Sequence, residues 1–311
     1  MKNKNPIWKS IQPVLLALSI TLLTGTVHGQ LFVANSGNNT IGEYGTDGST
    51  INTSLFSGLS GPQGLALDGN GNLFVLNSGG TIGEYTTSGT TVNANLITLS
   101  GEQPEAIALD GNGNLFVSFN GSGTTTDGTI GKYTTSGATV NADLISGLFR
   151  PRGVAVDGNG NLFVENEFSG TIGEYTTSGT TVNASLISGI YHPQALTLDG
   201  NGNLFVSTSG NSIGEYTASG TTVNANLISL SDSSDGLALD GNGNLFEANL
   251  DTGTIGEYTT SGATVNADLI SGLSDPAALA VPEPSASVLA GAGMLALLAF
   301  KKSCKVASYK C

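Results

Sequence analysis

The heptapeptide Asp68-Gly69-Asn70-Gly71-Asn72-Leu73-Phe74 (DGNGNLF) returns at residues 110, 157, 199 and 240, while the LFV-type core that it introduces occurs once more, at Leu31-Phe32-Val33. Six copies of one half and five of the other require a reason. These LFV-type cores begin at 31, 73, 115, 162, 204 and 245, in steps of 42, 42, 47, 42 and 41 residues. A period of that length, made of short β runs, is the mark of propeller blades. Each unit reads LFV, then TIGEY, then TVNA followed by Leu-Ile, then GLALD. These runs are rich in β-branched and aromatic residues and are bounded by Gly, Ser, Asn or Thr, which predicts four short strands per unit. Asp-Gly and Asn-Gly supply the positive φ of tight hairpin turns, so DGNGN joins GLALD to LFV and Thr-Thr-Ser-Gly joins TIGEY to TVNA.

With GLALD innermost and TVNA outermost, the chain starts at a second strand and its first blade lacks an innermost one. Ala278-Leu279-Ala280-Val281, after Asp275-Pro276, supplies it from the other end. No DGNGN follows Val281 because the two chain ends meet there. The expectation is an all-β fold over residues 30–281: a six-bladed β-propeller of four-stranded blades. Its ring is closed by pairing of the N- and C-terminal strands, which removes an open seam.

Composition agrees with turn-rich β architecture: 45 of the 311 residues are Gly and only 11% are charged. Residues 1–29 carry Lys2, Lys4 and Lys9, an apolar run from Val14 to Leu23 and the small-residue ground Val27-His28-Gly29, which reads as a signal peptide and an exported body. Between Gln30 and Val281 only Lys132, Arg150 and Arg152 oppose 23 acidic residues, a formal charge of −20. Such a surface repels phosphate backbones, which excludes nucleic acid as a partner, and it favours a soluble, monomeric propeller. Both cysteines, Cys304 and Cys311, lie beyond the repeats, so the body has no disulfide and depends on packing.

Units such as Pro62-Gln63-Gly64-Leu65-Ala66-Leu67-Asp68 followed by Gly69-Asn70-Gly71-Asn72-Leu73-Phe74-Val75 resemble NHL-type repeats, which form six-bladed propellers, and the resemblance covers nearly all of residues 31–281. NHL-type repeats commonly place Asp after the second strand. Here that position is Asn35, Asn77, Asn166 or Asn249, and Phe119 and Thr208 in the other two copies. The tail, residues 282–311, resembles a PEP-CTERM sorting signal: Pro282-Glu283-Pro284, an apolar segment from Ala286 to Phe300 read as a sorting helix, then Lys301-Lys302. The resemblance implies an exosortase-type sorting enzyme as partner and transient inner-membrane association through the tail. It also implies release to the outer surface or extracellular matrix of a Gram-negative bacterium. A plain C-terminal anchor is the competing reading, and the apolar run is short for a full bilayer span.

The DGNGN and TTSG turns share one face of the disc and are nearly invariant, so specialised residues belong on the other face, where loops are free to differ. That face carries Phe149-Arg150-Pro151-Arg152, Ile190-Tyr191-His192-Pro193, Glu165-Asn166-Glu167-Phe168 and an expansion around Gly121–Asp127. Arg150, Arg152, Tyr191, His192, Glu165 and Glu167 form the candidate ligand site: the arginines for bidentate hydrogen bonds to an anionic or sugar-like ligand, Tyr191 for stacking. The competing reading is that the arginines are loop residues paired with local carboxylates. Glu247 replaces the valine of every other LFV and must face water, the channel, a partner or a metal.

DGNGN begins like an EF-hand loop, but Leu73 and Gly79 stand where the loop's glycine and bidentate glutamate belong, so the sequence argues for a turn. Gly69-Asn70-Gly71 likewise leads into a strand and not the helix that a dinucleotide site needs.

Two functions follow. One is a non-enzymatic binding or structural propeller for a polysaccharide or matrix protein, with no cofactor and no metal. The alternative is an enzyme resembling streptogramin lyases or metal-dependent lactonases, with His192, Glu165 and Glu247 as catalytic residues and calcium or magnesium as cofactor.

Overall fold

The structure, a computed structural model, describes residues 29–100, 103–122 and 126–282. Its strands form six antiparallel sheets of four. Blade 2 runs outward through Pro62–Leu67, Asn72–Asn77, Thr81–Thr86 and Thr91–Thr98. Blade 3 is Pro104–Leu109, Asn114–Phe119, Gly128–Thr134 and Thr139–Leu148, and blade 4 is Pro151–Val156, Asn161–Asn166, Thr171–Thr176 and Thr181–Ser188. Blade 5 is Pro193–Leu198, Asn203–Thr208, Ser212–Thr217 and Thr222–Ser229, and blade 6 is Gly236–Leu239, Asn244–Asn249, Thr254–Thr259 and Thr264–Ile270. The innermost strands touch their neighbours all the way around, which closes the ring.

Blade 1 is assembled from both ends of the chain. Pro276–Ala280 pairs antiparallel with Gln30–Asn35, Leu279 opposite Val33 and Ala280 opposite Phe32, and Thr40–Gly45 and Thr50–Ser57 complete the sheet. The unequal repeat count is thus the record of a ring that begins one strand late. Residues 1–28 of the leader, Glu283 and Pro284 of the sorting motif, the apolar tail and both cysteines lie outside the described residues.

The core sits between blades. Along each second strand the side chains alternate, so Val33 packs with Phe246 and Ala248 of the preceding blade, while Phe32 and Ala34 pack with Leu65, Leu73 and Val75 of the following one. The third residue of LFV therefore faces the preceding blade, and the residue after it the following one. Each DGNGN turn consumes its own aspartate: Asp68 Oδ1 accepts from the backbone N–H of Asn70 (2.9 Å) and Asn72 (2.8 Å), and Oδ2 from Asn72 Nδ2 (2.8 Å). Burial opposes ionisation there, yet the bonds from Asn72 and Asn70 outweigh it and leave the Asp68 carboxyl below its ordinary range. Gly71, at φ +86°, takes the turn position that a side chain would strain.

Candidate functional site at the channel mouth

Each innermost strand opens on the variable face, and in five blades it starts at a proline. In blade 6 Ser234 takes the proline's place, and the residue after that position, Ala277, Gln63, Glu105, Arg152, Gln194 or Asp235, contributes one side chain per blade to a collar on a cavity of about 450 Å³. Two residues deeper, Leu65, Ile107, Val154, Leu196, Leu237 and Leu279 form an aliphatic ring beneath it. The volume lies within the range of small-molecule sites, roughly 300–1,000 Å³.

Charge on this face is organised around Glu167 and Arg152. Arg150 Nη1 lies 3.1 Å from Glu167 Oε1, Arg152 Nη1 3.9 Å from its Oε2, and His192 Nδ1 3.8 Å from its Oε1. Across the mouth, Arg152 Nη2 reaches Asp235 Oδ1 of blade 6 at 3.1 Å. The arginines are thus paired with local carboxylates. Burial pushes the carboxyls of Glu105 and Asp235 up from their ordinary values, with Arg152 pulling both back. The Arg150 guanidinium lies 4.8 Å from the centroid of the Phe168 ring, and Phe168 meets Phe149 and His192 edge to face. Tyr191 packs edge to face on His192 and remains 66% exposed.

Arg150, Arg152, Glu167, His192 and Tyr191 therefore come together at the corner of blades 4 and 5. Glu165 is not in the loop but inside the second strand of blade 4, fully buried against blade 5. Its Oε2 accepts from Gly153 N–H at 2.9 Å, where a Cβ on residue 153 would stand 2.3 Å from that oxygen. Glu247 does not reach the channel either. It occupies the valine position facing blade 5, 2% exposed, beside Ser234. Burial raises both carboxyls to about 8, against the Gly153 bond and Arg152 for Glu165 and the Ser234 bond for Glu247. Both acids flank blade 5, one on each seam.

Glu105, Asp235, Gln63 and Gln194 were not distinguished from ordinary connecting residues by the sequence. The signal that finds them is register: each stands one step after the proline position that begins an innermost strand. A calcium or magnesium ion fits this donor set poorly, because Asp235 and Glu167 are already engaged by guanidinium groups. Among the described residues no group of three or more His, Cys, Asp or Glu side chains is placed to hold a metal.

Solved structures share the fold. A nidogen/laminin complex contains a chain with TM-score 0.69 at 18% identity, over 82% of this chain and 98% of that one. A protein of unknown function from Bacteroides caccae superposes with TM-score 0.61 at 18% identity, over 83% and 100%. A gluconolactonase from Xanthomonas campestris gives 0.58 at 15% identity, over 70% and 78%. A comparison with the curated proteins finds no match. Residues 15–258, most of the propeller, match the Virginiamycin B lyase family, and the chain belongs to that family.

Proposed function

We propose that this propeller is an exported, non-enzymatic binding protein, anchored transiently at the inner membrane and sorted by an exosortase-type enzyme to the outer surface or extracellular matrix. There it binds a polysaccharide or a matrix protein through the variable face. The observation that carries the reading is the corner of blades 4 and 5. Aromatic rings there are locked edge to face on one another and on Arg150, presenting an exposed Tyr191 beside the channel mouth. Rigid aromatic surfaces give contact area at little entropic cost, and sugar rings stack on them. Both arginines are neutralised in place, so the corner does not select an anion, and the acidic body repels anionic polymers. One neighbour in fold comes from a protein–protein complex and another is named a gluconolactonase, so the fold itself favours neither reading.

The enzyme reading, a lyase or lactonase, draws on the family and on one feature of the site: a protonated Glu165 beside Arg152 is a proton donor in waiting. The two are separated by affinity electrophoresis of the purified full chain in dextran, chitosan oligosaccharide and alginate, alongside turnover assays with cyclic ester substrates. Binding predicts retention by dextran or chitosan oligosaccharide, loss of retention in Tyr191→Ala, no effect of alginate and no turnover. Turnover abolished by His192→Ala or Glu165→Gln overturns it.

A further inference from the structure

Several side-chain donors at the channel mouth are already spent. They are turned onto the protein's own acceptors: Gln63 Nε2 onto the Pro104 carbonyl, Asn120 Nδ2 onto Glu105, Arg152 onto Asp235, Arg150 onto Glu167. On the collar the buried atom without a hydrogen-bond partner is an oxygen, Gln194 Oε1, and a second, Asn120 Oδ1, lies on the side chain that is bonded to Glu105. Glu167 is spent on its neighbours, Oε1 bonded to Arg150 and Oε2 3.9 Å from Arg152 Nη1, and it stands outside the lining of the cavity. A buried acceptor without a partner destabilises the free protein, so a donor that reaches it is favoured. Charge runs the same way: three carboxylates, Glu105, Glu167 and Asp235, surround two guanidiniums, and Glu105 is the one on the collar with no arginine bonded to it.

Below the collar the lining turns aliphatic, with Leu65, Ile107, Val154, Leu196, Leu237 and Leu279 on all six sides. A ligand that satisfies both layers has an apolar body and a cationic head that donates hydrogen bonds. We propose that the channel mouth binds an organic amine, its ammonium donating to Glu105 and the acceptor oxygens of the collar and its carbon body resting on the aliphatic ring. The inference rests on the reading of this face as the binding face, and it reverses the anionic preference that two arginines suggest in the sequence.

The test is calorimetric titration of the full chain at neutral pH with hexylamine, and with hexanol and hexanoate as matched probes of the same length. Hexylamine is expected to bind saturably and more weakly as salt rises, while hexanol and hexanoate do not saturate. Glu105→Gln keeps the shape and the Asn120 contact but removes the charge, and it is expected to weaken hexylamine by about tenfold or more. Asp235→Asn releases Arg152, so hexylamine weakens and hexanoate begins to bind. Circular dichroism checks both folds; if Asp235→Asn is unfolded, Glu105→Gln alone decides. No saturable hexylamine binding, or binding unchanged in Glu105→Gln, overturns the proposal. Polysaccharide retention through Tyr191 with no amine binding would overturn this inference alone.

Discussion

Glu165 and Glu247 stand where the other blades carry Ala34, Leu76, Ser118, Ser207 and Ala248, or the valines of LFV, all in packed seams. Each has one buried carboxyl oxygen with no partner. Their folded pKa of about 8 lies above the unfolded carboxyl value, so between roughly pH 4.5 and 8 the folded state keeps protons that the unfolded chain has lost. The stability they contribute is present below that window and is lost as pH rises through it. Glu247→Val restores the repeat residue, and it should raise the urea midpoint at pH 9, by about 1–3 kcal/mol in stability, with a smaller gain at pH 4. A gain that is equal at both pH values would contradict the buried acid. Glu247 was legible as an anomaly because it breaks a repeated triplet. Glu165 drew notice only as one unusual side chain among loop residues, since which seam it faces depends on the neighbouring blade and not on its own strand.

At the scale of the element, the turn into each innermost strand has its own constraint. The residue before the strand-initiating proline is left-handed in five blades, at Gly61, Gln103, Arg150, His192 and Asp275. The positive φ therefore belongs to the turn shared by the repeats, and it is no sign of function at Arg150 or His192. Glycine takes this conformation without strain, so Gln103→Gly should stabilise the fold by about 1 kcal/mol. Arg150→Gly should gain nothing net, because it removes the partner of Glu167. Chemical denaturation of both variants compares them.

The outermost strands are free edges, and each one protects itself. Asn52, Asn93, Asn141, Asn183, Asn224 and Asn266 accept through Oδ1 from the backbone N–H two residues on, so that donor is not offered to another chain. Asn183→Val should leave the fold intact and increase concentration-dependent association, read by light scattering; unchanged scattering would count against edge protection. Strand order and turn placement were legible because period and turn chemistry are local. The collar was not, because its six residues meet only after the ring closes.

Over the whole molecule, closure is the property that every other feature depends on. The mouth exists only if Pro276–Ala280 completes blade 1, and Leu279 belongs to both the closing strand and the aliphatic ring. Leu279→Asp places a carboxylate in that seam and should cost about 3 kcal/mol or more, visible as a large fall in thermal midpoint. The two faces of the disc divide the work. The DGNGN face spends its carboxylates on turns, while the opposite face keeps acceptors open around a cavity and an exposed aromatic corner beside it. Capture of a ligand without its conversion is the central claim. Its most direct measurement is equilibrium binding of chitosan oligosaccharide to the wild-type chain and to Tyr191→Ala, with the ligand recovered and weighed by mass spectrometry. Saturable binding by the wild type, loss in Tyr191→Ala and recovery of intact ligand are the predicted result. Recovery of a shortened or ring-opened product, or binding indifferent to Tyr191, would contradict it.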